Sequence, residues 1–283
     1  MIYAVTCADD NYMPSAKFQM ETARKYGKVS QTMIFNLKDM DENFKRDNKD
    51  ILEAGGERRK GCYLWKPYFV NKAFSQITIG DYIIYLDAAG NYYRSNVNEI
   101  IQYMEKKGLE IIGSRKYKYL EKHWTKRDAF VLMDCDTEEY TNQYQCYAGF
   151  LIAKKTEKTI KFFDEWLMHA QNYNIITNAP NVCGKEDYEG FEEHRFDQSI
   201  LSILLKKYGA KTIETLPVPE FHIYHHSREL SIKAIKCKKR MERRRKISQF
   251  IKAGNIKGIW YLERESLLEM TVVQRIYKKL KYR

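Results

Sequence analysis

The hydrophobic pattern of the chain alternates between short strand-like runs and helix-like segments. The strand-like runs are apolar and rich in β-branched residues and tyrosine, and they occupy residues 2–7, 31–36, 82–86, 109–113 and 145–153. The helix-like segments carry apolar residues three or four apart, and they occupy residues 14–26, 67–77, 95–108, 125–133, 156–170 and 197–208. This alternation predicts an α/β domain with a mostly parallel central sheet flanked by helices.

The run 82–86 is the most informative of these segments. It is apolar throughout, which predicts a strand with both faces covered, and it ends in Asp87, which is followed by Ala88, Ala89 and Gly90. A carboxylate after a buried strand lies at the carboxyl end of a sheet, where open α/β folds bind ligands. The small residues beside it leave room for a metal ion or a bulky ligand. The alternative is an acid that caps the following turn.

Basic residues are concentrated at the C-terminal end. Residues 231–283 hold 17 Lys and Arg against 4 Asp and Glu, whereas residues 1–230 hold 32 against 33. We therefore predict a near-neutral body, 1–230, and a basic helical tail, 231–283. Basic amphipathic helices bind anionic membrane surfaces, and each Lys or Arg near such a surface contributes about 1 kcal/mol. The alternative is a helical subdomain whose basic face lies in solvent.

The expected compartment follows from cysteine usage and apolar runs. The six cysteines include no Cys-x-x-Cys pair, which argues against a zinc ribbon or a disulfide framework and favours a reducing compartment. No secretory signal pattern opens the chain, and no apolar run approaches the roughly 18 residues of a membrane span. We expect a cytoplasmic protein, peripheral on the inner face of the cell membrane. Nucleic-acid binding is the weaker reading of the basic tail, because the body is near neutral.

Four groups of residues, in order along the chain, resemble the landmarks of a known family. They are the acid–amide cluster 8–12 after the first strand, the Asp87 strand, the strand 148–152, and the pair 197–198 that opens a helix. In this order they resemble glycosyltransferase family 8, which has the GT-A fold, and within it the lipooligosaccharide α-galactosyltransferases. The resemblance spans residues 2–226 as separate landmarks.

The resemblance implies a function and a set of site residues. It implies transfer of a hexose or N-acetylhexosamine from a UDP-sugar to a lipid-linked or oligosaccharide acceptor of lipooligosaccharide, O-antigen or capsule. It favours retention of the anomeric configuration, with an inverting carboxylate base as the alternative. The implied catalytic residues are Asp197 and Gln198. The implied nucleotide-sugar contacts are Cys7, Asp9, Asn11, Tyr12, Asp87, Ala88, Ala148 and Gly149. By residue type alone, Asp9 also suits a turn and Asp197 a helix N-cap.

The metal expectation departs from the family pattern at one position. Asp87 stands in the place of the family's Asp-x-Asp, but Ala89 replaces the second acid. The resemblance implies Mn²⁺ or Mg²⁺ held by Asp87 and a histidine, His226 or alternatively His225. Adjacent strand residues point to opposite faces, so only one of the two histidines faces the site. If the metal binds weakly, basic side chains must share the charge of the leaving diphosphate.

Basic residues that are candidates for the diphosphate are scattered through the body. The set is Arg58, Arg59, Lys60, Lys66, Arg115, Lys126 and Arg127. Lys66 stands out because Trp65, Pro67 and Tyr68 make its surroundings apolar, and a charge there needs a partner. Arg115 follows a strand end. The segment 61–68 has no family 8 counterpart and resembles a signature of bacterial polysaccharide glycosyltransferases of the same fold. A sugar-1-phosphate nucleotidyltransferase is disfavoured, since its Gly-rich, basic N-terminal loop is missing.

Overall fold

The computed structural model describes residues 1–56, 59–89, 91–216 and 224–226, with the backbone alone for 116–117 and 224–226. The predicted α/β class is confirmed. The strands are β1 (Ile2–Ala8), β2 (Gln31–Asn36), β3 (Tyr82–Leu86), β4 (Asn91–Tyr93), β5 (Ile111–Gly113), β6 (Arg115–Leu120), β7 (Tyr144–Cys146), β8 (Phe150–Lys154), β9 (Lys211–Thr212) and β10 (Tyr224–His226).

Helices of very different length connect these strands. They are α1 (Met13–Thr22), α2 (Glu42–Asp47), α3 (Lys49–Glu53), α4 (Trp65–Ser75), α5 (Asn98–Lys107), α6 (Glu121–Trp124), α7 (Arg127–Leu132), α8 (Glu138–Thr141), α9 (Glu157–Ala170), α10 (Tyr173–Ile176) and α11 (Asp197–Lys207). A π-helical turn, Ala23–Gly27, follows α1, and 3₁₀ turns occupy Leu37–Asp39, Lys60–Tyr63 and Ile213–Thr215. Among the described residues, no helix is long and apolar enough to span a bilayer.

The central sheet has six strands in the order β2-β1-β3-β8-β5-β9. The pairs β1–β2, β1–β3 and β5–β9 are parallel, and β8 runs antiparallel to β3 and β5. The sheet is therefore mostly parallel, as predicted. Strand β3 lies near its centre and is buried along its whole length, which confirms that both of its faces are covered.

Alternate residues of β3 pack into two different cores, because successive side chains of a strand point to opposite faces. Ile83 and Tyr85 join the core that contains Phe74, Phe163 and Leu204 from α4, α9 and α11. The opposite face of β3 packs into a core with Met20, Ile100 and Met104 from α1 and α5. Helices therefore flank the sheet on both sides and hold β3 in place.

The topology brings the sequence landmarks to one sheet edge. Because β1 and β3 are parallel neighbours, their carboxyl ends place residue 9 and Asp87 at that edge. Strand β8 runs the opposite way, so its first residues lie at the same edge, and the backbone N–H of Asp87 donates to the Gly149 carbonyl at 3.0 Å. Three of the four landmarks thus meet at the place where α/β sheets bind ligands.

Two boundaries differ from the sequence pattern. The single strand expected over 145–153 is two strands, since β7 leaves the central sheet to pair with β6. The break lies at Gly149, where a Cβ would approach the Tyr147 ring to 2.3 Å. The helix expected to be capped by Ser95 begins at Asn98 instead, because Asn96 Oδ1 accepts the Asn98 N–H at 3.0 Å. The predicted tail, 231–283, lies outside the described residues.

Candidate active site

Two open cavities, of about 280 and 360 Å³, lie at this sheet edge. Both are lined by Tyr63, Lys66 and Asp87, so these three side chains form the boundary between them. We call the smaller one the α11 cavity, because residues around the start of α11 form its far wall. We call the larger one the β1 cavity, because residues after β1 form its far wall.

The β1 cavity gathers most of the predicted nucleotide contacts. It is lined by Cys7, Asp9, Tyr12 and Ala88, together with Trp65. The Oδ1 atom of Asp9 accepts the backbone N–H groups of residues 11 and 12, both at 2.9 Å, so Asp9 forms a turn and also faces the cavity. With Tyr63 and Asp87 at the boundary, the cavity therefore combines three aromatic side chains with two carboxylates.

The backbone around Asp87 is held by several elements at once. The carbonyl of Asp87 accepts hydrogen bonds from Gln19 at 2.9 Å and from Asn91 at 2.7 Å. The next carbonyl, of Ala88, accepts from the Ser15 hydroxyl at 2.6 Å. Helix α1, strand β4 and the start of β8 thus position Asp87 together, and its carboxylate projects from a rigid support.

The carboxylate of Asp87 has two partners on the inner side of the boundary. The Tyr85 hydroxyl donates to Asp87 Oδ1 at 2.7 Å, and the ammonium of Lys66 lies 3.4 Å from the same oxygen. Tyr85 is two residues before Asp87 and therefore projects from the same side of the strand. The two-residue period of a strand is therefore the sequence signal that could have identified Tyr85 as a partner of Asp87.

Lys66 forms a second ion pair across the boundary. Its Nζ lies 3.1 Å from Asp197 Oδ2, and the Lys66 and Asp197 side chains are 6% and 4% exposed. Burial alone would lower the pKa of Lys66, but the carboxylates of Asp197 and Asp87 outweigh it and raise that pKa above its ordinary value. Lys66 is therefore charged at neutral pH.

At Asp197, the effect of burial on the pKa is larger than the effect of the neighbouring charges. Burial raises the pKa of its carboxyl to about 6, because the loss of solvent outweighs the stabilising charge of Lys66. Helix α11 has Phe196 as its N-cap residue and begins at Asp197, so the alternative reading of Asp197 as the cap is wrong. Its carboxylate is instead directed to Lys66 and lines the α11 cavity.

Gln198 lines the α11 cavity beside Asp197. Its amide Nε2 donates to Gln145 Oε1 at 2.7 Å. The Nε2 of Gln145 donates in turn to the Trp124 carbonyl, at 3.1 Å, and to the Ser199 hydroxyl, also at 3.1 Å. These buried bonds determine which way the Gln198 amide points, so both predicted catalytic side chains have defined positions.

Backbone strain is concentrated where the boundary meets α11. Cys62 and Tyr63 have φ angles of 49° and 62°, and Phe196 has a φ of 53°. Non-glycine residues with positive φ cost about 1–3 kcal/mol each and persist where the surrounding structure enforces them, often at functional sites. The rings of Tyr63 and Phe196 meet edge to face at 6.0 Å, so two of these strained residues support each other.

The side chains that the structure describes do not fit the predicted metal site. Mn²⁺ and Mg²⁺ require several oxygen ligands. Within this part of the chain no group of three His, Cys, Asp or Glu side chains could hold a metal ion. The position between the carboxylates of Asp87 and Asp197 already holds the Lys66 ammonium. Ala89 stands at the position where the metal motif has its second acid.

The predicted histidine ligands lie at β10, for which the backbone is described. Strand β10 pairs antiparallel with β4, with His226 opposite Asn91 and His225 opposite Tyr92. The backbone of His226 is therefore close to the residue that binds the Asp87 carbonyl. Their side chains lie outside the described part, so their role as ligands stays a prediction.

The remaining predicted residues fall in different places. Ala148 lines the α11 cavity, and Gly149 contributes its carbonyl to the Asp87 backbone. Asn11 is exposed and lines neither cavity. Arg115 begins β6, its backbone N–H donates to Glu214 at 2.9 Å, and it also lines neither cavity.

Of the other basic candidates, Arg58 lies outside the described residues, and the rest divide in the same way. Arg59 lines the α11 cavity and Lys60 lines the β1 cavity. Lys126 and Arg127 instead pair with Asp128 and Asp136, at 3.2 and 2.9 Å. Sequence reasoning did not identify Tyr63 and Phe196 as site residues, because residue type does not indicate which non-glycine positions have positive φ.

Comparisons with known proteins give structural matches alone. No family model and no curated protein matches the chain. Mouse xyloside xylosyltransferase 1 is similar over 75% of this chain and 84% of its own, at 9% identity and a TM-score of 0.42. The galactosyltransferase LgtC, solved with donor and acceptor sugar analogues, is similar over 74% and 72%, at 15% identity and a TM-score of 0.40.

A nucleotidyltransferase also occurs among the similar structures. A Bacillus anthracis protein provisionally assigned as a glucose-1-phosphate thymidylyltransferase is similar over 84% of this chain and 94% of its own, at 6% identity and a TM-score of 0.39. By their names, the mouse protein and LgtC are glycosyltransferases, whereas the Bacillus anthracis protein is a nucleotidyltransferase.

Proposed function

We propose that this chain transfers a glycosyl group from a UDP-sugar to a hydroxyl of a glycan acceptor. The observation that carries the proposal is the boundary between the two cavities, where the Lys66 ammonium pairs with both Asp87 and Asp197. The β1 cavity offers Tyr12 and Trp65 for stacking on a base. A donor that extends across the boundary would place its diphosphate beside Lys66 and its sugar beside Asp197.

The charges at the boundary suit the two products of bond cleavage. The bond between the anomeric carbon and the diphosphate oxygen breaks, and its electron pair leaves with the diphosphate. The acceptor oxygen forms the new bond to the anomeric carbon, and its proton passes to the departing phosphate oxygen. The carboxylate of Asp197 stabilises the oxocarbenium-like carbon, and the charge of Lys66 faces the leaving group.

This scheme retains the anomeric configuration, which the family resemblance also favours. Inverting transfer by the same carboxylate, acting as a base on the acceptor hydroxyl, is the competing scheme. Proton NMR of the first product formed distinguishes them. An anomer that matches the donor supports retention, and the opposite anomer would replace it with inversion.

The acceptor is proposed to be a lipid-linked or oligosaccharide precursor of lipooligosaccharide, O-antigen or capsule. The support is the basic composition of residues 231–283, which suits an anionic membrane surface on the cytoplasmic side. The full chain should bind vesicles that contain anionic lipid, and a chain shortened to residues 1–230 should not. Equal binding by both would remove the support for a membrane role of the tail.

The donor is tested by a panel of UDP-sugars, each of a hexose or an N-acetylhexosamine, with UDP release as the readout. Many transferases hydrolyse their donor slowly without acceptor, because water enters the acceptor side. We expect release from one or a few of these sugars, and no release in controls that contain the same UDP-sugar without the protein. A purified, folded chain that releases UDP from none of them, with Mn²⁺ or with a chelator, contradicts the proposed function.

A further inference from the structure

One segment of the chain crosses the boundary between the two cavities. We call Arg59–Lys66 the cationic segment. Arg59 lines the α11 cavity, Lys60 lines the β1 cavity, and Lys66 lines both. Three basic side chains thus lie along the path that a nucleotide sugar would take from one cavity to the other, and the one in the α11 cavity, Arg59, pairs with Glu193.

The cationic segment is shaped to deliver Lys66 to the boundary. Gly61, Cys62 and Tyr63 all have positive φ, at 60°, 49° and 62°. This left-handed run turns the chain directly into α4, whose second residue is Lys66. The centroids of the Tyr63 and Trp65 rings lie 5.8 and 5.6 Å from Lys66 Nζ. The two rings exclude water from the ammonium.

The ammonium lies beside Asp87, the residue that the family resemblance makes a metal ligand. It bridges Asp87, at 3.4 Å, and Asp197, at 3.1 Å, while the second acid of the metal motif is Ala89. A buried charge of this kind needs partners. The carboxylates of Asp87 and Asp197 are these partners, and they fix the position of the ammonium.

We propose that the cationic segment, with Lys66 as the catalytic cation, takes up the charge of the leaving diphosphate in place of a divalent metal. The inference rests on the proposed function and specifies how its leaving group is stabilised. Lys66 donates hydrogen bonds to the phosphate oxygens and keeps its protons, while the diphosphate leaves with the bonding electron pair. Lys60 adds charge from the β1 cavity, because one ammonium replaces only part of a divalent ion.

The wild-type chain provides the first test and requires no variant. UDP release from the donor identified above is measured in excess chelator and then with added Mn²⁺. We expect the same rate in both, since the charge is supplied by side chains. A rate that is lost in chelator and restored by Mn²⁺ overturns this inference and leaves the proposed function standing.

Binding of UDP and of uridine isolates the diphosphate from the nucleoside. In chelator, calorimetry should show tighter binding of UDP than of uridine to the wild-type chain. In Lys66→Met that preference should become smaller while uridine still binds, because the base contacts lie in the β1 cavity and Lys60 remains there. A preference for UDP that is unchanged in Lys66→Met, or that arises solely with Mn²⁺, contradicts the role of Lys66.

A matched variant controls for the loss of a lysine from the same helix. Lys72→Met removes an exposed charge of α4 that lines neither cavity, and we expect unchanged UDP release. Lys66→Met should release UDP about 10²- to 10³-fold more slowly, the usual effect of removing one charge-stabilising donor. Circular dichroism shows whether each variant is folded, and where Lys66→Met is not, the chelator test on the wild-type chain decides.

Discussion

The two cavities differ in the kind of recognition that their walls allow. The β1 cavity presents Tyr12 and Trp65 beside small residues, with Asp9 engaged in a turn. The α11 cavity is crowded with charged and amide groups, among them Asp197 and Gln198. The first is suited to stacking and shape, and the second to stabilising charges that develop during a reaction. A change in either cavity should therefore affect a different kinetic constant.

The largest effect is expected from Asp197→Asn in the α11 cavity. The amide keeps the volume but removes the negative charge that faces the anomeric carbon, so kcat for UDP release should fall about 10²- to 10³-fold. The affinity for UDP, measured by calorimetry, should fall much less than kcat, because Asp87 still pairs with Lys66.

An exposed aspartate provides the control. Asp164→Asn, on α9 and outside both cavities, should release UDP at the wild-type rate. The distinction between the cavities fails if Asp197→Asn weakens UDP binding as strongly as it lowers kcat.

At the boundary itself, Asp87→Asn should have a somewhat smaller effect, on both constants together. It removes one of the two carboxylates that hold Lys66 and replaces the charged acceptor of Tyr85 with a neutral amide oxygen. Tyr85→Phe removes the hydroxyl alone, and the lost hydrogen bond to Asp87 is worth about 1 kcal/mol. The rate of UDP release by Tyr85→Phe should therefore lie between those of Asp87→Asn and the wild-type chain. Near-normal turnover in Asp87→Asn would place the reaction elsewhere.

The pH dependence of kcat should reflect the carboxyl of Asp197. Because burial raises its pKa to about 6, the side chain becomes protonated as the pH falls through that value and loses the charge that stabilises the reacting carbon. The rate should therefore decline on the acid side, about tenfold per pH unit well below pH 6. A profile that stays flat down to pH 5 would argue against a catalytic carboxylate at this position.

The smallest effect is expected from the stacking wall of the β1 cavity. Tyr12→Ala should weaken UDP binding about tenfold, the usual contribution of one aromatic ring to a stacked base, and leave kcat unchanged. Tyr26→Ala is the matched control, since Tyr26 is 44% exposed, much like Tyr12 at 39%, and lines neither cavity. Equal loss of UDP affinity in both variants would show that Tyr12 makes no specific contact.

The same comparison shows how far the sequence could predict the site. Asp87 and Lys66 were recognisable, because a lone acid after a buried strand and a lysine among aromatic residues both require an explanation. Their pairing with Asp197 was not, since it depends on positive φ at Cys62 and Phe196, which residue type does not indicate.

The sheet was predictable for a similar reason. An all-apolar run such as 82–86 has one favourable location, the centre of a covered sheet. The break between β7 and β8 was not, because nothing in the pattern of 145–153 shows that the Tyr147 ring folds over Gly149.

The central claim is that a nucleotide sugar crosses from the β1 cavity to the α11 cavity at Lys66. A crystal structure with UDP, grown in the presence of a chelator, tests it most directly. The account predicts the uracil ring in the β1 cavity and a diphosphate oxygen within hydrogen-bond distance of Lys66 Nζ. UDP bound outside these cavities, or a diphosphate turned away from Lys66, would contradict it.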